Sequence, residues 1–142
     1  MTTILLIDDS PVVRQMLGLI LRSKGEYHVL EADTQQGAVA QFEQRRSDID
    51  LLIADVCVGR QSGRAIAYAL IAQRPQLRVL FISGYSRDYL VGEELLGPDD
   101  ALLAKPFSAE ALFRRVHEIL DGPHEAQTVT RLVQSCMGRA AS

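Results

Sequence analysis

The stretch ILLIDDSPVVRQMLGLILRSKG (residues 4–25) reads as one complete strand-and-helix unit. Ile4 to Ile7 form a short, branched apolar run of strand length, cut off by Asp8 and Asp9. Ser10 stands where a helix N-cap belongs, because its hydroxyl accepts from the unpaired N–H groups of the first turn. Pro11 suits the first helical position, where no N–H is needed. Val12, Val13, Met16, Leu17, Ile20 and Leu21 then recur at helical spacing, and Gly25 fits the stop.

The same alternation continues outward from this unit. YHVLEA (residues 27–32) is a second strand, followed by a helix capped by Thr34 that runs to about Arg46 and buries Ala38, Val39 and Phe42. LLIA (residues 51–54) is a third strand. Ala65, Ile66, Ala69 and Leu70 mark a third helix, with Pro75 just past its end. RVLFIS (residues 78–83) is a fourth strand; Ser86 opens a weaker fourth helix, interrupted by Gly92 and closed by Gly97-Pro98. ALLA (residues 101–104) is a fifth strand, and Ser108 caps a fifth helix that turns Leu112, Phe113, Val116, Ile119 and Leu120 inward. Continuous apolar strands alternating with amphipathic helices predict a parallel sheet covered on both faces. Right-handed crossovers make it an open, doubly wound α/β sheet of five strands.

Bulk properties exclude several classes of function. The chain has 142 residues, the size of one ordinary domain, and its formal net charge of −3 gives no bulk attraction to nucleic acid or an acidic membrane. Cys57 and Cys136 are too few for a disulfide framework, and no signal peptide or membrane-length apolar run is visible. The expectation is a cytoplasmic protein without nucleic-acid or membrane partners.

Ligand sites of such sheets lie outside the carboxyl ends of the strands. Those ends carry Asp8-Asp9, Asp55, Ser83 and Lys105-Pro106. A single Asp after a strand is ordinarily a turn residue or cap; five polar groups on one functional rim are not explained that way. Two carboxylates about 4 Å apart repel by roughly 4 kcal/mol at an effective dielectric near 20. The cluster therefore calls for cations: Lys105 offsets one charge, and Mg2+ suits the rest because it takes few carboxylates and leaves room for phosphoryl oxygens. Gly-x-x-x-x-Gly-Lys-Ser/Thr is absent, so no nucleotide cradle is built. Asp55 fits a carboxylate nucleophile toward phosphorus, Lys105 a stabiliser of the transferring oxygens, and Ser83 a hydrogen-bond donor to a phosphoryl group.

DDS (residues 8–10), Asp55 with Gly63 eight positions on, SGY (residues 83–85) and KPF (residues 105–107) resemble the receiver domain of two-component response regulators. The resemblance covers about residues 3–121. ISGY and LLAKPFSAEALFRRVHEIL look most like receivers attached to hybrid sensor kinases. It implies the flavodoxin-like strand order 2-1-3-4-5. It also implies Asp55 as phosphoacceptor, loaded by a sensor histidine kinase or a histidine phosphotransfer protein. Asp8, Asp9, Asp55 and the backbone carbonyl of Cys57 would hold magnesium. Lys105 would contact the phosphoryl group, Ser83 would be the switch hydroxyl, and Pro106 is the candidate for a cis peptide. Enzymatic turnover beyond self-phosphorylation and self-dephosphorylation is not expected.

The chain departs from the family at two places that bear on readout, Leu102 and Val58-Gly59. Leu102 stands where an aromatic residue commonly gates the switch. Tyr85 either takes over part of that gating or is an exposed loop tyrosine. Val58-Gly59 replaces the frequent Met-Pro, which predicts a freer loop after Asp55. Cys57 reads as a small side chain rather than a redox centre, since no basic activator adjoins it in sequence. His28, His117 and His124 show no metal-ligand spacing. Val12, Val13 and Gln15 with Pro106-Phe107 mark the expected phosphodonor face.

The receiver is expected over residues 1–121 and a tail over 122–142, with no effector domain. In the tail, Val129, Leu132, Val133, Cys136 and Met137 fit a short amphipathic helix. Homodimers through the fourth helix, fifth strand and fifth helix, or through the tail, are compatible with this layout; the output protein is unspecified. Two further readings stand beside the receiver: a non-switching binding module, and an aspartyl-phosphate phosphohydrolase. Phosphohydrolases of that class carry a second Asp two residues after the nucleophile, where this chain has Cys57.

Overall fold

The structure, a computed structural model, describes residues 1–45 and 48–122. Strands β1 (Thr2–Ile7), β2 (Tyr27–Ala32) and β3 (Ile49–Asp55) alternate with helices α1 (Pro11–Arg22) and α2 (Gln35–Arg45). A short β4 (Cys57–Val58) and β5 (Gln61–Ser62) follow, then α3 (Gly63–Gln73), β6 (Arg78–Ser83), α4 (Arg87–Gly92), β7 (Leu102–Ala104) and α5 (Ala109–Asp121). The main sheet is parallel, in the order β2-β1-β3-β6-β7, so its five strands follow the expected 2-1-3-4-5. The tail helix expected beyond residue 122, with His124 and Cys136, lies outside the described residues, as does Arg46.

Local chemistry starts the helices where the sequence places them. The hydroxyls of Ser10, Ser62, Ser86 and Ser108 each accept from a backbone N–H three residues on, capping α1, α3, α4 and α5. Thr34 accepts from Gly37 N–H at 3.0 Å and does the same for α2.

Strand periodicity divides the core in two. Leu5, Ile7, Leu52, Ala54 and Phe81 face Ala38, Phe42, Ile66, Leu70 and Leu90 of α2, α3 and α4. Ile4, Leu6, Leu51, Ile53, Leu80 and Ile82 face Leu17, Leu21, Leu112, Phe113 and Val116 of α1 and α5. Both faces of the strands are buried, which is why the strands read as unbroken apolar runs.

On α1 Leu17 and Leu21 are fully buried, while Val12, on the face expected to meet the phosphodonor, is 76% and Met16 44% exposed. The apolar pattern runs nearly all round this helix, so periodicity alone does not assign its inner face. One expectation is corrected: the loop after Asp55 is not freed by the loss of proline. β4 and β5 pair antiparallel across Gly59-Arg60, with Gly59 at φ +62°, a conformation that glycine adopts without a Cβ penalty and that opens a two-residue hairpin turn.

Candidate functional site

β1, β3, β6 and β7 end on one rim and deliver the polar groups there. Asp8 follows β1 and is 3% exposed; its Oδ1 accepts from Ser10 N–H at 2.9 Å, while its buried Oδ2 has no hydrogen-bond partner. Asp9, next along the chain, is exposed. Asp55 ends β3, and its Oδ1 accepts from Cys57 N–H at 3.0 Å. Its Oδ2 lies 2.8 Å from Lys105 Nζ, which stands 3.8 Å from Asp8 Oδ2. One ammonium thus lies between two carboxylates carried by adjacent strands.

The backbone beneath is equally fixed. Lys105 N–H donates to Ser83 carbonyl at 2.8 Å, and the Lys105–Pro106 peptide is cis, as expected. The hairpin and α3 pack against the Asp55 backbone so closely that a Cβ on Gly63 would lie 2.0 Å from the Asp55 carbonyl oxygen. That contact is the physical reason for a glycine eight residues after Asp55. Ser83 is buried, and its Oγ accepts from Tyr85 N–H at 3.0 Å.

The electrostatics follow from burial and like charge. Burial raises the Asp8 carboxyl above the ordinary carboxylate range, and the Asp55 and Asp9 charges push the same way against the Ser10 N–H and Lys105. Burial, then Asp55 and Asp9, push the Cys57 thiol up as well. A raised thiol is a poor nucleophile, and the Cys57 side chain is exposed, in keeping with a small side chain rather than a redox centre.

Not every predicted residue converges. Among the described residues no three His, Cys, Asp or Glu side chains are drawn together closely enough to hold a metal ion. Lys105 takes the space between Asp8 and Asp55, and Asp9 sits at the exposed edge, 3.9 Å from where a Cβ on Gly59 would be. The donor set nevertheless fits a hard cation: Asp8 Oδ2 is an anionic oxygen, buried and without a hydrogen bond. Tyr85 takes the exposed alternative; its ring is 60% exposed and stacks on Tyr89 with centroids 4.9 Å apart. Leu102 pairs with Phe81 across β6 and β7 and packs on the core beside α4.

Sequence reading missed Arg14. Its Nη1 donates to Asp8 carbonyl at 2.9 Å and its Nε lies 3.3 Å from Glu31 Oε1, tying α1 to β1 and β2 behind the acidic pair. The available signal was a cation one turn into the helix that follows Asp8-Asp9.

A parallel five-stranded sheet of this order, with acidic groups, a hydroxyl and a lysine on its carboxyl rim, defines a receiver of two-component signalling. The chain belongs to that family: residues 4–117 match the model of the response regulator receiver domain. It is 29% identical over 119 residues to the sensor kinase CckA of Brucella abortus, covering 84% of this chain and 12% of the kinase. The chain spans about half the length of two mycobacterial regulators that it also matches. The crystal structure of the receiver domain from the hybrid histidine kinase CckA superposes with a TM-score of 0.69 at 30% identity, over 83% of this chain and 98% of that one. A CheX-CheY complex from Borrelia burgdorferi shares the fold, with a TM-score of 0.70 at 23% identity, over 83% of this chain and 88% of that one. No helix among the described residues is long and apolar enough to cross a membrane.

Proposed function

We propose that Asp55 accepts a phosphoryl group from a phosphohistidine and that the resulting charge switches protein contacts. One observation carries this reading: Lys105 Nζ bridges Asp55 and the buried Asp8 at the rim, leaving Asp8 Oδ2 with unmet demand for positive charge. An Asp55 oxygen attacks phosphorus, the P–N bond breaks as the O–P bond forms, and the electron pair leaves on the imidazole nitrogen, which takes a proton from solvent. Lys105 is already in place to stabilise the phosphoryl oxygens without reorganisation. Asp8, Asp9, Asp55 and the Cys57 carbonyl would hold magnesium, whose charge offsets that of the transferring oxygens. The Borrelia burgdorferi complex, which shares the fold, was solved with beryllofluoride and magnesium.

Phosphorylation adds about −1.5 to −2 charge and three acceptor oxygens beside Lys105 and Ser83. The Ser83 hydroxyl, whose Oγ accepts from Tyr85 N–H, donates its own proton to a phosphoryl oxygen, and the segment leading into α4 follows. Leu102, partly buried against the core, has no ring to flip, so any accompanying change on β7 is a repacking of this side chain. Sensor histidine kinases or histidine phosphotransfer proteins are the donors this chemistry requires.

The test is incubation with magnesium and acetyl phosphate or beryllofluoride, followed by intact mass and size-exclusion chromatography. A mass gain of one phosphoryl group, absent in Asp55→Asn, is the expected result. No response in the wild type sinks the proposal, and steady turnover of a phosphomonoester would favour the phosphohydrolase instead.

A further inference from the structure

We infer that the C-terminal tail, through Val129, Leu132, Val133, Cys136 and Met137, docks on the outer ridge of α1 formed by Val12, Met16 and Leu19. These three residues are 76%, 44% and 71% exposed and fall within about 60° of one another around the helix. They lie opposite Leu17 and Leu21, which face the core, so no part of the described fold covers them. Half of the large exposed apolar side chains among the described residues stand on this one ridge, a patch that ordinarily marks an interaction surface.

The tail is the occupant that the geometry favours. α1 and α5 share one sheet face. The segment that follows α1 lies beside the middle of α5: Lys24 Nζ stands 4.3 Å from the Phe113 ring centre, and His117 Nε2 lies 3.1 Å from Glu26 Oε2. The chain leaves α5 about one turn further on, where the Gly122 carbonyl accepts from Arg78 Nη2 at 3.3 Å at the start of β6. The six residue steps from Gly122 to Thr128 span up to about 20 Å when extended, about twice the usual spacing of neighbouring helices. As a helix, Val129 to Met137 covers about 12 Å and Val12 to Leu19 about 10 Å, so the two stripes match in length. α5 offers no competing partner, because its outer face is polar, with Arg114 paired to Glu110 and Arg115 to Glu118. An apolar stripe of this length is too short to hold a helix alone and gains most from an apolar seat.

Docking there deepens the proposed function, since Val12 and its neighbours form the phosphodonor face in that reading. The tail and the donor protein would then compete for α1, while a small donor would reach Asp55 either way. The test does not depend on phosphorylation, so its failure is separate from failure of that reading. A nitroxide is placed on Cys136 of the full chain carrying Cys57→Ala, and amide signals are compared before and after reduction of the label. Signals of residues 12–19 should lose at least half their intensity, with α2 and α3 unaffected and no change when the labelled chain is diluted tenfold into unlabelled label-free chain bearing the isotope-silent background. Leu19→Glu, on the exposed ridge, should restore the signals while leaving the rest of the spectrum in place. Equal broadening on α1 and α2, loss of the effect on dilution (a second copy instead), or persistence in Leu19→Glu each overturns the inference.

Discussion

Lys105 Nζ lies 2.8 Å from Asp55 Oδ2 and 3.8 Å from Asp8 Oδ2, so the cation at the end of β7 is shared unequally by the carboxylates of β3 and β1. The closer contact is a charge-assisted hydrogen bond and the farther one a Coulombic contact only. Replacing the ammonium with an apolar stem, Lys105→Met, leaves the carboxylates facing one another without it. The expected outcome is intact folding with at least a tenfold slower gain of mass from acetyl phosphate. Labelling at the wild-type rate would remove Lys105 from the mechanism.

Asp8 provides a stability test with a defined sign. Burial, followed by the neighbouring carboxylates, raises its folded-state pKa, so between the ordinary carboxylate pKa and that raised value the native state holds more protons than the unfolded chain. Stability from this group is fully present below the unfolded pKa and is lost as pH rises through the folded one. Asp8→Asn removes the titration, and at pH 7 without divalent ions it should raise Tm by about 3 °C, the effect of roughly 1 kcal/mol in a domain of this size. Magnesium should raise Tm of the wild type by mass action and leave that of the variant nearly unchanged. Scanning calorimetry of both proteins, with and without magnesium at acidic and neutral pH, reads the eight Tm values.

The strand ends were legible because each apolar run stops at a polar residue, so Asp8, Asp55, Ser83 and Lys105 could be assigned to one rim before any coordinates. Helix starts were legible for a similar reason, since Ser10, Ser86 and Ser108 cap where their sequence context implies. What escaped was set by contacts between distant segments. The inner face of α1 depends on what α1 packs against, and Val12 and Met16 are as apolar as Leu17. The β4–β5 hairpin depends on a positive φ at Gly59, which composition alone does not reveal. Arg64 and Asp100 lie far apart in sequence and fit no motif, yet they form a buried ion pair.

Gly63 tests how tightly the Asp55 backbone is held. A Cβ at this position meets the Asp55 carbonyl oxygen at 2.0 Å, and that atom is backbone that cannot rotate away. Gly63→Ala should therefore cost about 2–3 kcal/mol, at the upper end for overpacking, and lower the urea midpoint without changing the slope. Gly84→Ala is the matched control, because a Cβ there meets nothing within 4 Å. Equal midpoints for the two variants would show that α3 can shift away from the strand freely.

The Arg64–Asp100 pair anchors the segment between α4 and β7 to α3. Arg64 Nε lies 3.0 Å from Asp100 Oδ2, both side chains are nearly inaccessible, and the same carboxylate oxygen accepts from Gly97 N–H at 2.8 Å. Arg87 Nη1 fastens the segment from the other side through the carbonyls of Pro98 and Asp100. Removing one partner leaves a buried charge uncompensated, so Asp100→Ala should destabilise by about 3–5 kcal/mol. Removing both in a volume-matched apolar pair, Arg64→Met with Asp100→Leu, should recover much of that loss, because neither charge then has to be desolvated. The Gly97 N–H still loses its acceptor in the double variant, so recovery should fall short of the wild type by about 1–2 kcal/mol. Chemical denaturation of the two variants decides the matter: a double variant no more stable than Asp100→Ala would mean that the loop geometry, and not the buried charge, is what the pair maintains.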